Sequence, residues 1–215
     1  MIIIFSAYIC NMIAVISGDI IRSENVASSK LMKAMKDFLK RFGTAPKTWE
    51  IYRGDQFQLE LPNAEEALLV CIHLKSVVKQ LGNADVRISV GLGDKNYNAA
   101  KITQSNGSAF VHSGRKFDLL KKENTNLAIQ SDFADFDTEM NLLFRFALVF
   151  MDEWSVVSCE MIDTLLSYSE KKQSEIAEML GINQSAVSQR IKRAHFDLLM
   201  DLNEHYIRRV KQLVQ

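Results

Sequence analysis

Between Gln173 and Phe196 the chain reads Q-S-E-I-A-E-M-L-G-I-N-Q-S-A-V-S-Q-R-I-K-R-A-H-F, a pattern that few arrangements of two helices satisfy. Ile176, Leu180, Ile182, Val187 and Ile191 recur at helical spacing and supply a small shared core. Ala177 leaves room for a second helix to approach. Gly181 ends the first helix, because glycine adopts a left-handed conformation at little cost. Asn183 caps the next helix through its side-chain oxygen. The pattern predicts two short crossed helices joined by a tight turn, a helix-turn-helix. With Val187 and Ile191 turned inward, the second helix presents Gln184, Ser185, Ser188, Gln189 and Lys192, flanked by Arg190 and Arg193. Residues 184–196 hold three Lys or Arg and no acid. Glutamine reads adenine edges, and Arg or Lys binds guanine or phosphate, so this face suits the major groove of DNA. The same spacing also describes an αα-hairpin used only for packing. The fixed offsets of Ala177, Gly181 and Asn183, with an outward face free of carboxylates, make DNA binding the stronger expectation.

The rest of the chain sets the context. A length of 215 residues gives room for one mid-sized domain and one small one. Lys plus Arg equals Asp plus Glu at 26 each, so any affinity for nucleic acid must come from local placement of charge. Cys10, Cys71 and Cys159 are odd in number and widely spaced, which argues against a disulfide scaffold or a zinc site and fits a reducing cytoplasm. The apolar N-terminus lacks the basic leader of a signal peptide and is shorter than the ~20 residues of a membrane helix. It is read as a buried strand, Ile13 to Ser17, preceded by an extension over 1–11 that could derive from a start codon upstream of Met12. A cytoplasmic protein without a membrane partner is expected.

Along the N-terminal part the elements alternate. Ile13–Ser17 is a β-rich run bounded by Gly18. Leu31, Met35, Phe38, Leu39 and Phe42 mark a helix that stops near Gly43. Alternation from Thr48 to Leu61 gives two strands joined at Arg53-Gly54-Asp55. Ala64, Ala67, Leu68, Cys71, Ile72 and Val78 form a second amphipathic stripe, and Val86, Ile88, Val90 and Leu92 share one face of another strand. The resulting order, βαββαβ, is that of a ferredoxin-like α+β domain. A helix over Ala109–Lys122, a short strand at Leu127–Ile129 and a helical stripe from Met140 to Met151 follow, so the domains are placed at 1–152 and 153–215. Leu198, Leu202, Tyr206 and Val210 predict a final amphipathic helix. Its stripe either covers the small module or pairs with a second copy, and a homodimer is expected.

Fold alone decides no function, so the site residues must. In the expected topology Asp19 follows the first strand and Asp55 tips the hairpin, which would bring two carboxylates to one end of the sheet. Such a pair can hold Mg²⁺ against a triphosphate. Asp19 as a helix cap and Asp55 as a turn residue is the plain alternative. His73, His112, His195 and His205 share no metal-like spacing and are read as packing or surface residues.

Ser17-Gly-Asp-Ile-Ile-Arg-Ser23, Tyr52-Arg-Gly-Asp-Gln-Phe-Gln58 and Val86–Gly93 resemble the first strand, the Gly-Asp hairpin and a later strand of class III nucleotidyl cyclases. More closely, the chain from about Met12 onward resembles the SatD family of bacterial proteins, and its C-terminal segment resembles the helix-turn-helix of sigma-factor region 4 and of response-regulator output domains. The cyclase likeness implies Asp19 and Asp55 as Mg²⁺ ligands and Arg115 on the phosphate of a nucleotide ligand. Gly107-Ser-Ala-Phe-Val-His-Ser-Gly-Arg115 keeps the Gly and Arg of a cyclase helix but puts Val111 where its Asn falls, so the site is expected to be degenerate. The expectation is a DNA-binding, transcriptional regulator whose cyclase-like domain senses a nucleotide or partner. The alternative is a Mg²⁺-dependent enzyme acting on a nucleoside triphosphate.

Overall fold

The structure, a computed structural model, describes residues 12–22, 26–82 and 84–214. It is a mixed α+β arrangement of a five-stranded sheet and eight α-helices. The strands are β1 (Ile13–Ile21), β2 (Trp49–Tyr52), β3 (Gln56–Leu61), β4 (Asp85–Gly93) and β5 (Leu127–Gln130), in the order β2-β3-β1-β4-β5. β1 runs antiparallel to both β3 and β4, and only β5 is parallel to its neighbour. The helices are α1 (Ser28–Leu39), α2 (Ala67–Lys79), α3 (Ser108–Glu123), α4 (Ala134–Met151), α5 (Val156–Ser167), α6 (Gln173–Leu180), α7 (Gln184–Ala194) and α8 (Phe196–Leu213).

Alternation along β1 assigns the two faces of the sheet. Ala14, Ile16 and Ile20 point into the main core with α1, α2 and α4. Ile13 and Val15 pack under Ala109 and Phe110 of α3 on the other side. β1 is longer than its apolar run predicts, because Gly18 does not end it. A Cβ at Gly18 would lie 2.5 Å from both the Arg87 carbonyl oxygen and the Phe57 ring, so the glycine admits the ring across an unbroken strand. Asp19 is therefore a strand residue rather than a residue that follows the strand.

α2 also departs from the amphipathic reading, since every one of its residues except Leu69 is buried. The cause is the C-terminal part of the chain. Cys159 and Ile162 of α5, with Leu199, Tyr206 and Val210 of α8, join the same core as the sheet. The Tyr206 hydroxyl donates to the Ala64 carbonyl at 2.8 Å. Two lysines of α2 are consequently enclosed. Lys75 Nζ donates to Asp85 Oδ1 at 2.7 Å, and Lys79 Nζ donates to Asp85 Oδ2 at 3.1 Å and to the Asp152 carbonyl at 2.8 Å. Lys75 Nζ also lies 2.7 Å from Asp152 Oδ1, a charge contact without hydrogen-bond direction. Lys75 is 1% exposed and Asp85 2%, so each charge depends on its partner. No described helix is long and apolar enough to cross a membrane.

Candidate functional site

Two places carry the chemistry expected from sequence. At the C-terminal one, Met161 of α5, Ile176 and Ala177 of α6, and Val187 and Ile191 of α7 make a small core of their own, with Leu165, Leu180, Ile182 and Phe196 against it. α6 ends at Gly181, whose φ of 62° and ψ of 32° are left-handed. The Asn183 carboxamide oxygen accepts from the Ala186 backbone N–H at 2.8 Å and opens α7. At the start of α6 the Glu175 carboxylate accepts from the Lys172 backbone N–H at 2.9 Å, which, more than the nearby Lys171 ammonium, holds its carboxyl below the usual range.

Outward from this core, Gln184, Ser185, Gln189, Lys192 and Arg193 are exposed and Ser188 is half-buried. Arg190 differs from them. Its Nη1 donates to Glu160 Oε2 of α5 at 3.2 Å, so it braces α7 against α5 instead of standing free beside Lys192. The far end of α7 is tied down as well, since Trp154 Nε1 donates to the Ala194 carbonyl at 3.2 Å.

The N-terminal place is organised around an ion pair. Asp19 and Arg87 are direct partners across β1 and β4. Arg87 Nε donates to Asp19 Oδ1 at 2.9 Å, and Nη2 donates to Oδ2. The Asp19 hydrogen bonds outweigh partial burial and raise the guanidinium pKa, with a smaller contribution from the Asp55 charge. Asp55 is exposed in the three-residue loop after β2, where Arg53 and Gly54 both have positive φ, and its carbonyl accepts from the Ile20 N–H at 3.2 Å. Arg115 is exposed on α3, and among the described residues it makes no ion pair with Asp19 or Asp55. Val111 is exposed too.

These residues do not fit a divalent cation as they stand. Both Asp19 oxygens are engaged by a guanidinium that already supplies the positive charge. Among the described residues no group of three or more His, Cys, Asp or Glu could hold a metal ion. Two residues along the same strand pair, Ser113 Oγ donates to Ser17 Oγ at 2.7 Å and Ser89 Oγ donates to the Ser113 carbonyl at 2.9 Å.

Three of the four histidines serve as struts between elements. His73 Nε2 is 2.7 Å from Asp163 Oδ1 and so joins α2 to α5. Burial pushes the Asp163 carboxyl up, but hydrogen bonds from His73 and Gln80 hold it below the usual value. The stabilisation it gives is thus present above the ordinary carboxylate range and is lost as pH falls through the lowered value. His112 Nδ1 is 2.7 Å from the Leu92 carbonyl, and His205 Nε2 is 2.7 Å from Glu139. Cys71 and Cys159 are buried free thiols, and burial pushes Cys159 up to about 12, which makes it a poor nucleophile. Cys10 lies outside the described residues.

Sequence reasoning did not find Arg87, Glu160 or Asp163. Each acts through a partner at least 30 residues away, and no local pattern marks it.

A family model, the SatD family, matches residues 12–207, and the chain belongs to that family. Searches of curated proteins and of solved structures find no match.

Proposed function

We propose that this protein is a DNA-binding regulator that reads the major groove with α7, the second helix of a helix-turn-helix formed by α6 and α7. The observation that carries the reading is the exposed face of α7. It offers Gln184, Ser185, Gln189, Lys192 and Arg193 to solvent, contains no acidic residue, and rests on a core and caps that fix its angle to α5 and α6. Base-reading and phosphate-binding side chains on one rigid helix face are what this mode of recognition requires.

The N-terminal half is the regulatory half in this proposal. Its order β2-β3-β1-β4, with α1 and α2 on one face, supports the ferredoxin-like, cyclase-like reading of this half. His73 and Lys79 fasten α2 to α5 and to the turn before it, so a change at the sheet has a physical route to the helix that braces Arg190. The enzyme reading is not favoured. Arg87 occupies Asp19, and Arg115 is exposed on α3 and, among the described residues, pairs with neither carboxylate. A cytoplasmic location agrees with the buried free thiols.

The test is retention on duplex DNA at several salt concentrations. Lys192→Ala with Arg193→Ala is expected to weaken binding at least ~10-fold and to flatten the log–log salt slope by about 2, one for each phosphate that is no longer neutralised. Arg190→Ala alone should have the smaller effect, because Glu160 holds that side chain. Retention that is unchanged in the double variant would overturn the proposal.

A further inference from the structure

The described fold leaves an apolar surface on α4 uncovered. Leu142, Phe146 and Val149 follow one another along that helix and are 49%, 65% and 73% exposed. Beside them α4 and α8 enclose a groove of about 460 Å³, with Leu143, Ala147 and Phe150 on one wall and Leu198 and Leu202 on the other. A continuous apolar surface of this kind marks an interaction site.

Charge identifies what covers it. Glu139, at one end of the groove, is already bound by His205 and Arg209. Arg145 and Asp201 are both exposed, and among the described residues neither belongs to an ion pair. Asp201 lines the far wall of the groove on α8, whereas Arg145 lies on α4 at the opposite flank of the apolar stripe. Their heights also match. His205 meets Glu139 at one end, and the His195 ring stands 4.8 Å from Phe150 at the other, so α8 runs antiparallel to α4. Interpolating between those two contacts puts Asp201 level with Arg145, within about one helical turn.

We infer that this face is the interface between two copies of the chain, related by a two-fold axis that runs along α4 through Phe146. Such an axis exchanges the two sides of the stripe, so the interface is self-complementary. Leu142 and Val149 of each copy seat in the partner copy's groove, and Arg145 faces the partner copy's Asp201. The inference stands on this surface alone and does not depend on DNA binding. Where the reading of α7 also holds, the consequence is direct. The groove ends beside His195, the C-cap of α7, so the dimer fixes the separation of two α7 helices.

Light scattering on the full chain, from about 1 to about 100 μM, tests it over the range of ordinary dimer affinities. The expected mass is twice 24.5 kDa. Phe146→Glu and Val149→Glu should each give monomers; both side chains are mostly exposed, so the fold tolerates the change. Arg145→Glu should weaken association at least ~10-fold, and adding Asp201→Arg should restore it. A native chain that stays monomeric throughout overturns the inference, as does a dimer that survives Phe146→Glu. A double charge swap that associates no better than Arg145→Glu overturns it as well. DNA retention is a separate readout, so failure of the dimer and failure of the DNA reading are told apart.

Discussion

The two candidate sites differ in how they are held. The α6–α7 unit is built from neighbours: its turn, its cap and most of its small core lie within 24 consecutive residues, 173–196. The Asp19–Arg87 pair joins positions 68 apart, and the serine pair beside it on the same strands bonds Ser113 of a third element. Local geometry repeats wherever its sequence pattern occurs, so it can be read one residue at a time. A pair made across a sheet depends on register, and a one-residue shift would turn Arg87 to the opposite face. A carboxylate can thus look like a free ligand in the sequence and be one half of a salt bridge in the fold.

Releasing the sheet from α2, the helix that α5 packs on, should have the largest effect. Asp85→Ala removes the carboxylate that both buried lysines share, and is expected to cost about 3 kcal/mol in urea or thermal unfolding, since two enclosed ammonium groups are left with Asp152 alone. If the regions unfold as one unit, the sheet and α7 should melt together in this variant. Separate transitions would show that they are independent, and would weaken the coupling proposed through α2.

An intermediate effect is expected at the ion pair. Arg87→Ala should cost about 2–3 kcal/mol, less than a fully enclosed pair because the Arg87 side chain keeps some solvent contact. Asp19→Ala combined with it should cost less than the sum of the two single changes. Additive costs would mean that the residues act separately, and would reopen Asp19 as a ligand.

The smallest effect belongs to the local site. Asn183→Ala removes one cap and should lower stability by about 1 kcal/mol, with DNA retention reduced only as far as α7 frays. A loss as large as that of Asp85→Ala would break the contrast drawn above.

What the sequence showed follows the same division. The left-handed Gly181, the Asn183 cap and the inward Val187 and Ile191 were legible because each rests on neighbours three or four residues away. The strand and helix order was legible from periodicity. α5 was not, because Val156-Val157 at its start favour strands and the segment follows directly on the expected domain boundary at 152. Its signals were Ser155, which caps it by accepting from the Ser158 N–H at 3.1 Å, and the spacing of Cys159 and Ile162. α2 read as an amphipathic helix with one open face, since nothing nearby announces that α5 and α8 will join its core. Gly18 read as a boundary because the Phe57 ring it admits comes from another strand.

The hydroxyl of Tyr206 on the Ala64 carbonyl has a bearing on synthesis. α2 emerges from the ribosome long before α8, and at about 5–20 residues per second the interval is of order ten seconds. Throughout that time the part of the core beside Ala64 that Leu199, Tyr206 and Val210 complete stays open to water. The sheet therefore cannot complete its core as it is made, and the newborn chain depends on α8 to finish the first half. Any stall or truncation before α8 would leave a species prone to aggregation and to capture by chaperones, however sound its sheet.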